Sequence, residues 1–575
     1  MDVKHTTELP GGAPRARRAR WPRAIACAGV VLAAFLLLSS GRVRLGCSSR
    51  HASKPSADAA SCPQANPLVP KATGALWSEL AALHTTPAFL ARAVAQLSAA
   101  VKIPTETFDD MGPVGEDARW ASHAPFVEHL AQAFPLVHQK LALQKVNTYG
   151  LIYTWQGSDA TLKPLLLMGH YDVVPVAPLS VDQWTYPPYS GHFDGESVWG
   201  RGSSDDKSGV IGILTSIEVL LEKNFAPTRT VVLSFGFDEE VGGYQGAGYL
   251  GPALLERFGP DSFAMVVDEG SGYTDAFGAV FASPGIAEKG YVNVNVEVQT
   301  PGGHSSVPPA HTSIGILAAM IVHLEAHAPV PVLALGTPAF EMATCFGAHG
   351  PEMPHHLKRA ISRAGKSEKA RRRAEEMLLE DRMFRAVVGT TQAVDIVHGG
   401  VKSNALPEQA VAVVNHRIAT QSSVNATITR DTELLLGLAA RFNLSVSAYG
   451  QQLTPAEGAY GSLTLSTPLT LEPAPITPSD AAPFRLLAGT IRTAFQTARN
   501  GTQDVVVAPG MMTGNTDTRF NWALSQHIFR YGHDNQIGGN LHGIHTVNEH
   551  MSASNFVEMI IFFTTLILNA DEAAL

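Results

Sequence analysis

Three apolar runs in this chain stop at acids or a histidine. Pro164–Met168 ends at Gly169-His170-Tyr171-Asp172, Val231–Phe237 at Asp238-Glu239-Glu240, and Phe263–Val267 at Asp268-Glu269-Gly270. Asp205-Asp206 and, far downstream, His545 add groups of the same types. Singly, each has an ordinary explanation: a His-x-Asp turn, solvated loop acids, acids capping a helix against its dipole, a packed loop histidine. Together they offer imidazole and carboxylate without thiolate, the donor set of a borderline-hard catalytic divalent cation. Acids clustered this way would repel one another unless a cation neutralised them.

For these groups to meet, the apolar runs must be strands of one sheet. Gly209–Leu221, between the first two runs, is apolar at helical spacing. Buried strands alternating with helices indicate an α/β sheet covered on both faces, where ligand chemistry gathers at the carboxyl ends of the strands. At 291–298 the pattern changes: Val292, Val294, Val296 and Val298 alternate with polar residues, as in a strand with one wet face. Ala410–Arg417 is similar, so residues 290–455 read as an inserted α+β domain. Within it, the charged run Lys358–Arg382 reads as a solvated helix face. After Pro468 the α/β character returns and ends in Phe556–Leu568, too short for a membrane span and read as a core helix.

The chain has 575 residues, 45% hydrophobic and 16% charged, which excludes a disordered protein and predicts several domains. The net charge of −9 argues against a nucleic-acid partner. It is unevenly spread: residues 1–50 hold nine Lys and Arg against Asp2 and Glu8. Ala24–Gly41 has no charge, and as a helix its 18 residues would cover about 27 Å. With arginines ahead of it, the run is expected to be a retained transmembrane signal anchor that leaves the N-terminus cytosolic. Residues 42–75, without hydrophobic period, read as a stalk. The expected division is therefore a tail at 1–23, anchor at 24–41, stalk at 42–75, catalytic parts at 76–289 and 456–575, and the insert between them. Three sequons begin at Asn425, Asn443 and Asn500, which suits a lumenal glycoprotein. Cys27, Cys47, Cys62 and Cys345 form neither a disulfide framework nor a zinc-site spacing.

In chain order, Gly169-His170-Tyr171-Asp172-Val173-Val174-Pro175, Gly200-Arg201-Gly202-Ser203-Ser204-Asp205-Asp206-Lys207 and Asp238-Glu239-Glu240 resemble motifs of the di-zinc exopeptidases. So do Asp268-Glu269, Gly303-His304-Ser305, Asn404-Ala405-Leu406-Pro407 and His545-Thr546-Val547-Asn548-Glu549. That family includes aminoacylases, glutamate carboxypeptidases and carboxypeptidase S, and Met511–Arg519 with the N-terminal anchor is most similar to the carboxypeptidase S branch. The resemblance implies a zinc-exopeptidase-like catalytic domain with a lid and dimerisation insert. It implies two zinc ions bridged by Asp205, one also held by His170 and Asp268, with Glu269 as the alternative, the other by Glu240 and His545. Asp172 would orient His170, Glu239 would be the general base, and Asp206 and Lys207 would support the loop. His304 would polarise the reacting carbonyl, in its own or a partner subunit, with Asn404 assisting. Arg417, or failing it Arg519, would grip the substrate's carboxylate. The implied activity is release of the C-terminal residue from short peptides, Gly-X type preferred, in a vacuole-like lumen, by a homodimer. Hydrolysis of N-acyl amino acids is the rival reaction; a metal-free binding scaffold is the rival class, and the full ligand set opposes it.

Overall fold

The computed structural model describes residues 61–539 and 541–575, so the expected anchor at 24–41 and the stalk up to residue 60 lie outside the described residues. The apolar runs form the middle of a ten-stranded mixed sheet. Its centre is four parallel strands in the order Val231–Gly236, Leu165–His170, Met265–Ala276 and Ile528–Asn535. Antiparallel Gly150–Trp155 and Ala142–Val146 extend one side, and Gly285–Glu288 and Gly510–Met512 the other. Val231–Gly236 and Leu165–His170 are buried at every position, which explains their largely apolar sequence. Helices Lys207–Glu222 and Ala553–Glu572 pack against each other beneath the sheet. Among the described residues Ala553–Glu572 alone is long and apolar enough to cross a membrane, yet it is sheathed by protein along almost its whole length. Fully burying each large aliphatic or aromatic side chain contributes about 1.5–3 kcal/mol, so this helix is a major part of the core.

The second sheet runs Thr391–Gly399, Gln409–Ile418, Gly290–Gln299, Gly461–Ser466, Leu444–Ala448 and Gln451–Gln452. Val292, Val294, Val296 and Val298 face helices Ser313–Ala326 and Val424–Arg441, while the alternate residues stay half-open. Two of its strands, Gly461–Ser466 and Thr470–Leu471, lie beyond the expected boundary at 455, because both pair with Gly290–Gln299. A third cluster joins helices Pro338–His349, His355–Ala364, Glu368–Leu378 and Arg382–Val388 to Phe281, Ala287, Ala508 and Met511 of the large sheet. The charged run thus has an apolar inner face, with Leu357, Ile361, Ala374 and Leu378 buried.

The expected stalk requires correction at its C-terminal end. Residues 61–73 lie along the large domain, with Leu68 N donating to Gly489 O at 3.0 Å and Gln64 Nε2 to Val507 O at 3.0 Å. Cys62 forms a disulfide with Cys345, 283 residues away, in helix Pro338–His349. Extended segments held by main-chain hydrogen bonds carry no apolar period, so spacing alone does not distinguish them from a linker.

Candidate metal centre

His170 is the last residue of its strand and 1% exposed. Its Nδ1 meets Asp172 Oδ1 at 3.1 Å, leaving Nε2 pointed at Asp205 Oδ1, also at 3.1 Å. The other oxygen of Asp205 lies 3.1 Å from His545 Nε2. Each oxygen of one carboxylate therefore faces a different imidazole. Glu240 adds Oε2 at 3.0 Å from His545 Nε2, and Glu269 adds Oε2 at 3.5 Å from His170 Nε2. Two sets of donor atoms, His170–Asp205–Glu240 and His170–Glu239–Glu269, are each close enough to share an ion.

Most of the groups are delivered by a strand end or a loop, and Glu269 from within strand Met265–Ala276. Glu239 and Glu240 form a single helical turn just past Val231–Gly236, and Asp205 precedes helix Lys207–Glu222, whose first turn Asp206 caps through Gly209 N. The Asp205–Asp206 peptide is cis. Asp172 is wholly buried and does more than orient His170. Its oxygens also accept from Glu239 N at 3.1 Å, Glu240 N at 3.2 Å and Thr107 Oγ1 at 2.9 Å, tying two strand-end loops together. Burial disfavours its charge most, but the bond and charge of His170, with His123 and Thr107, together outweigh this and lower its pKa.

Asp268 and Glu269 divide as strand geometry requires. Adjacent residues of Met265–Ala276 point to opposite faces, so one acid of the pair can reach the cluster. It is Glu269. Asp268 accepts from Glu269 N at 3.0 Å and leaves Oδ2 buried without a partner, outside both donor sets. Glu269, expected as the alternative ligand, is the one of the two that lies in a donor set.

The electrostatics fit a resident cation. Burial, then the charge of Glu269, holds the Glu239 carboxyl well above its usual range; burial and Asp205 push Glu240 up to about 7. Burial works against charge on His170 and His545, yet the surrounding carboxylates raise both, His545 to about 11. A field that holds protons this firmly on imidazoles is one that divalent cations satisfy, and the donor set is of the imidazole and carboxylate type.

The substrate-side residues are placed differently. His304 and Asn404 come together on an exposed two-stranded ribbon, where Ser305 N donates to Asn404 O at 3.2 Å and His304 Nδ1 meets Ser306 Oγ at 2.7 Å. Neither lines the cavity that holds Asp205, Glu239, Glu240, Glu269 and His545. Arg417, on strand Gln409–Ile418, donates from Nη1 to Asn515 Oδ1 at 3.1 Å, and Asn515 does line that cavity. The Arg417 guanidinium lies over Tyr291, and that of Arg519 over Tyr244 and Phe520. Among the described residues neither arginine forms a salt bridge, and Arg519 Nε is buried without a hydrogen-bond partner. Residue typing missed Asn515, Thr107 and the apolar cavity wall of Met512, Leu541 and Ile544. Of these only Asn515 and Met512 lie within a quoted motif.

Residues 166–569 match the model of peptidase family M20/M25/M40. Carboxypeptidase S of Saccharomyces cerevisiae is 38% identical, over 85% of this chain and 86% of that protein. The N-fatty-acyl-amino acid synthase/hydrolase of Homo sapiens is 32% identical, over 83% of this chain and 87% of its own. Human carnosine dipeptidase 1 has the same fold, with a TM-score of 0.57 at 15% identity over 88% of this chain and all of that one.

Proposed function

The chain belongs to peptidase family M20/M25/M40, and from that premise we propose that it is a dinuclear zinc carboxypeptidase acting on short peptides. The observation that carries this reading is Asp205, whose two oxygens stand 3.1 Å from His170 and His545 respectively. Asp205 would bridge the ions, with His170 and Glu269 completing one and His545 and Glu240 the other. Bound there, the pair of ions supplies a water acidic enough to be deprotonated near neutral pH. Glu239, its carboxyl pushed upward by burial, receives that proton and passes it to the departing amine. Arg417 and Arg519, which form no salt bridge among the described residues, would grip the carboxylate of the residue to be released. His304 and Asn404 would serve the oxyanion from a second copy of the chain, since their ribbon is exposed in this one. Exposed Ile314, Val322, Ile396, Val397 and Val401 around the second sheet suit such a homodimer.

The Cys62–Cys345 disulfide and the exposed Asn425, Asn443 and Asn500 support an oxidising, glycosylating lumen, entered behind an N-terminal anchor; a vacuole-like compartment follows from the carboxypeptidase S likeness. A second reading, cleavage of N-fatty-acyl amino acids, is favoured by the apolar wall of Met512, Leu541 and Ile544. The deciding experiment assays a blocked Gly-Leu dipeptide beside a fatty-acyl amino acid, each with and without chelator. Faster, chelator-sensitive cleavage of the dipeptide is expected. Preference for the acyl substrate would give the assignment to the second reaction.

A further inference from the structure

Just outside the acid and histidine cluster lies a second set of contacts that no step above uses. We propose that Glu549 is a positioning residue, a buried carboxylate that latches the Asp205 loop to the His545 loop and so sets the separation of the groups meant to hold the ions. The proposal rests on the dinuclear reading.

Glu549 follows His545 by four residues and is 1% exposed. One of its oxygens accepts from Ser204 N at 3.0 Å and Asp205 N at 3.2 Å; the other meets Arg201 Nη1 at 2.5 Å. Its main-chain oxygen accepts from Gly200 N at 2.9 Å. The carboxylate thus binds the very peptide unit that presents Asp205. Arg201 is itself 5% exposed and lies over the Trp184 ring.

Neighbouring contacts join the same two segments. Asn548 Oδ1 accepts from Thr185 N at 2.7 Å, strand His550–Ser552 pairs with Ser197–Trp199, and His550 stacks on Trp199 at 4.5 Å. Leading into these anchors the His545 loop holds an unusual backbone: His542, His545 and Asn548 have φ of 53°, 59° and 66°. Non-glycine residues persist in the left-handed region only where their surroundings over-determine them, and such strain gathers at functional sites. Stability alone does not account for the arrangement. A buried ion pair loses most of its Coulombic gain to desolvation, and an apolar pair of similar volume would hold two loops as well. What an apolar pair lacks is acceptors for the Ser204 and Asp205 amides, which aim the Asp205 side chain. Outer groups that orient metal ligands affect metal affinity by about 10–100-fold when replaced.

The test compares the full-length chain with Glu549→Leu and with the apolar pair Arg201→Met plus Glu549→Leu, which lack the acceptor. Three quantities are read: zinc affinity by chelator competition, kcat and KM for blocked Gly-Leu at saturating zinc, and melting of the metal-free protein. Glu549→Leu is expected to weaken zinc binding by about 10–100-fold, and to lower kcat at unchanged KM. The apolar pair should regain metal-free melting without regaining zinc affinity, and it decides the matter if the single variant does not fold. Parental zinc affinity and kcat in the variants, with melting alone altered, would make Glu549 a stability residue and overturn the latch. A parent chain that takes up no zinc would overturn the dinuclear reading and the latch with it.

Discussion

The large sheet and the second sheet hold their polar groups to different tolerances. On the large sheet, His170 and Asp172 are sealed, and His170, Asp205, Glu240 and His545 each stand about 3 Å from a neighbour in the cluster. On the separate exposed ribbon His304 and Asn404 are open to solvent, and on the second sheet Arg417 is tied to Asn515 by one hydrogen bond. Groups that must hold ions are worth fixing in advance, because donors already in place cost no reorganisation when charge develops. Groups that must meet a substrate or a second subunit gain from being left open until it arrives.

The sharpest way to break that contrast is Glu239→Gln. It should lower kcat by about 10²–10⁴-fold, the usual worth of a general base, while metal analysis still finds the parental zinc content. A smaller loss would move the base elsewhere on the large sheet. Asp172→Asn removes the charge that orients His170, and is expected to weaken zinc binding by up to about 100-fold in chelator competition, although Asp172 touches no ion. On the second sheet, Arg417→Met should leave zinc affinity alone. It should lower kcat/KM by about 10-fold or somewhat more through KM, since hydrogen bonds to charged groups are worth about 1.5–3 kcal/mol. If Arg519→Met has that effect instead, the carboxylate grip belongs to the large domain. Smallest for catalysis is Cys345→Ser. Loss of the disulfide should cost about 2–4 kcal/mol of stability in thermal melting, with kcat/KM unchanged.

Much of the large sheet could be read along the chain because its strands are buried on both faces. Leu165–His170 and Val231–Gly236 are apolar apart from His170 and Ser234, and the acids that follow them mark the sheet's carboxyl edge. The valine alternation of Gly290–Gln299 was equally plain, since one face of that strand is wet. Legibility failed where contacts are long-range and main-chain. Residues 61–73 look like a linker in composition, yet they are fastened to Gly489, Val507 and, through Cys62, to Cys345. Strands Gly461–Ser466 and Thr470–Leu471 fell on the wrong side of a boundary for the same reason: their partner lies more than 160 residues earlier.

Residue types and local periodicity were enough to settle what kind of site this is, because imidazole and carboxylate at strand ends carry their chemistry wherever they are brought together. They could not settle which of two adjacent acids faces the cluster, since either has the right donor atoms. The tertiary structure brings Glu269 Oε2 to 3.5 Å from His170 Nε2 and leaves Asp268 outside both donor sets. Nor could they connect Glu549 with Asp205, a bond spanning 344 residues. Such contacts arise only when two distant loops pack against one another, and no property of either segment taken alone records the other's position.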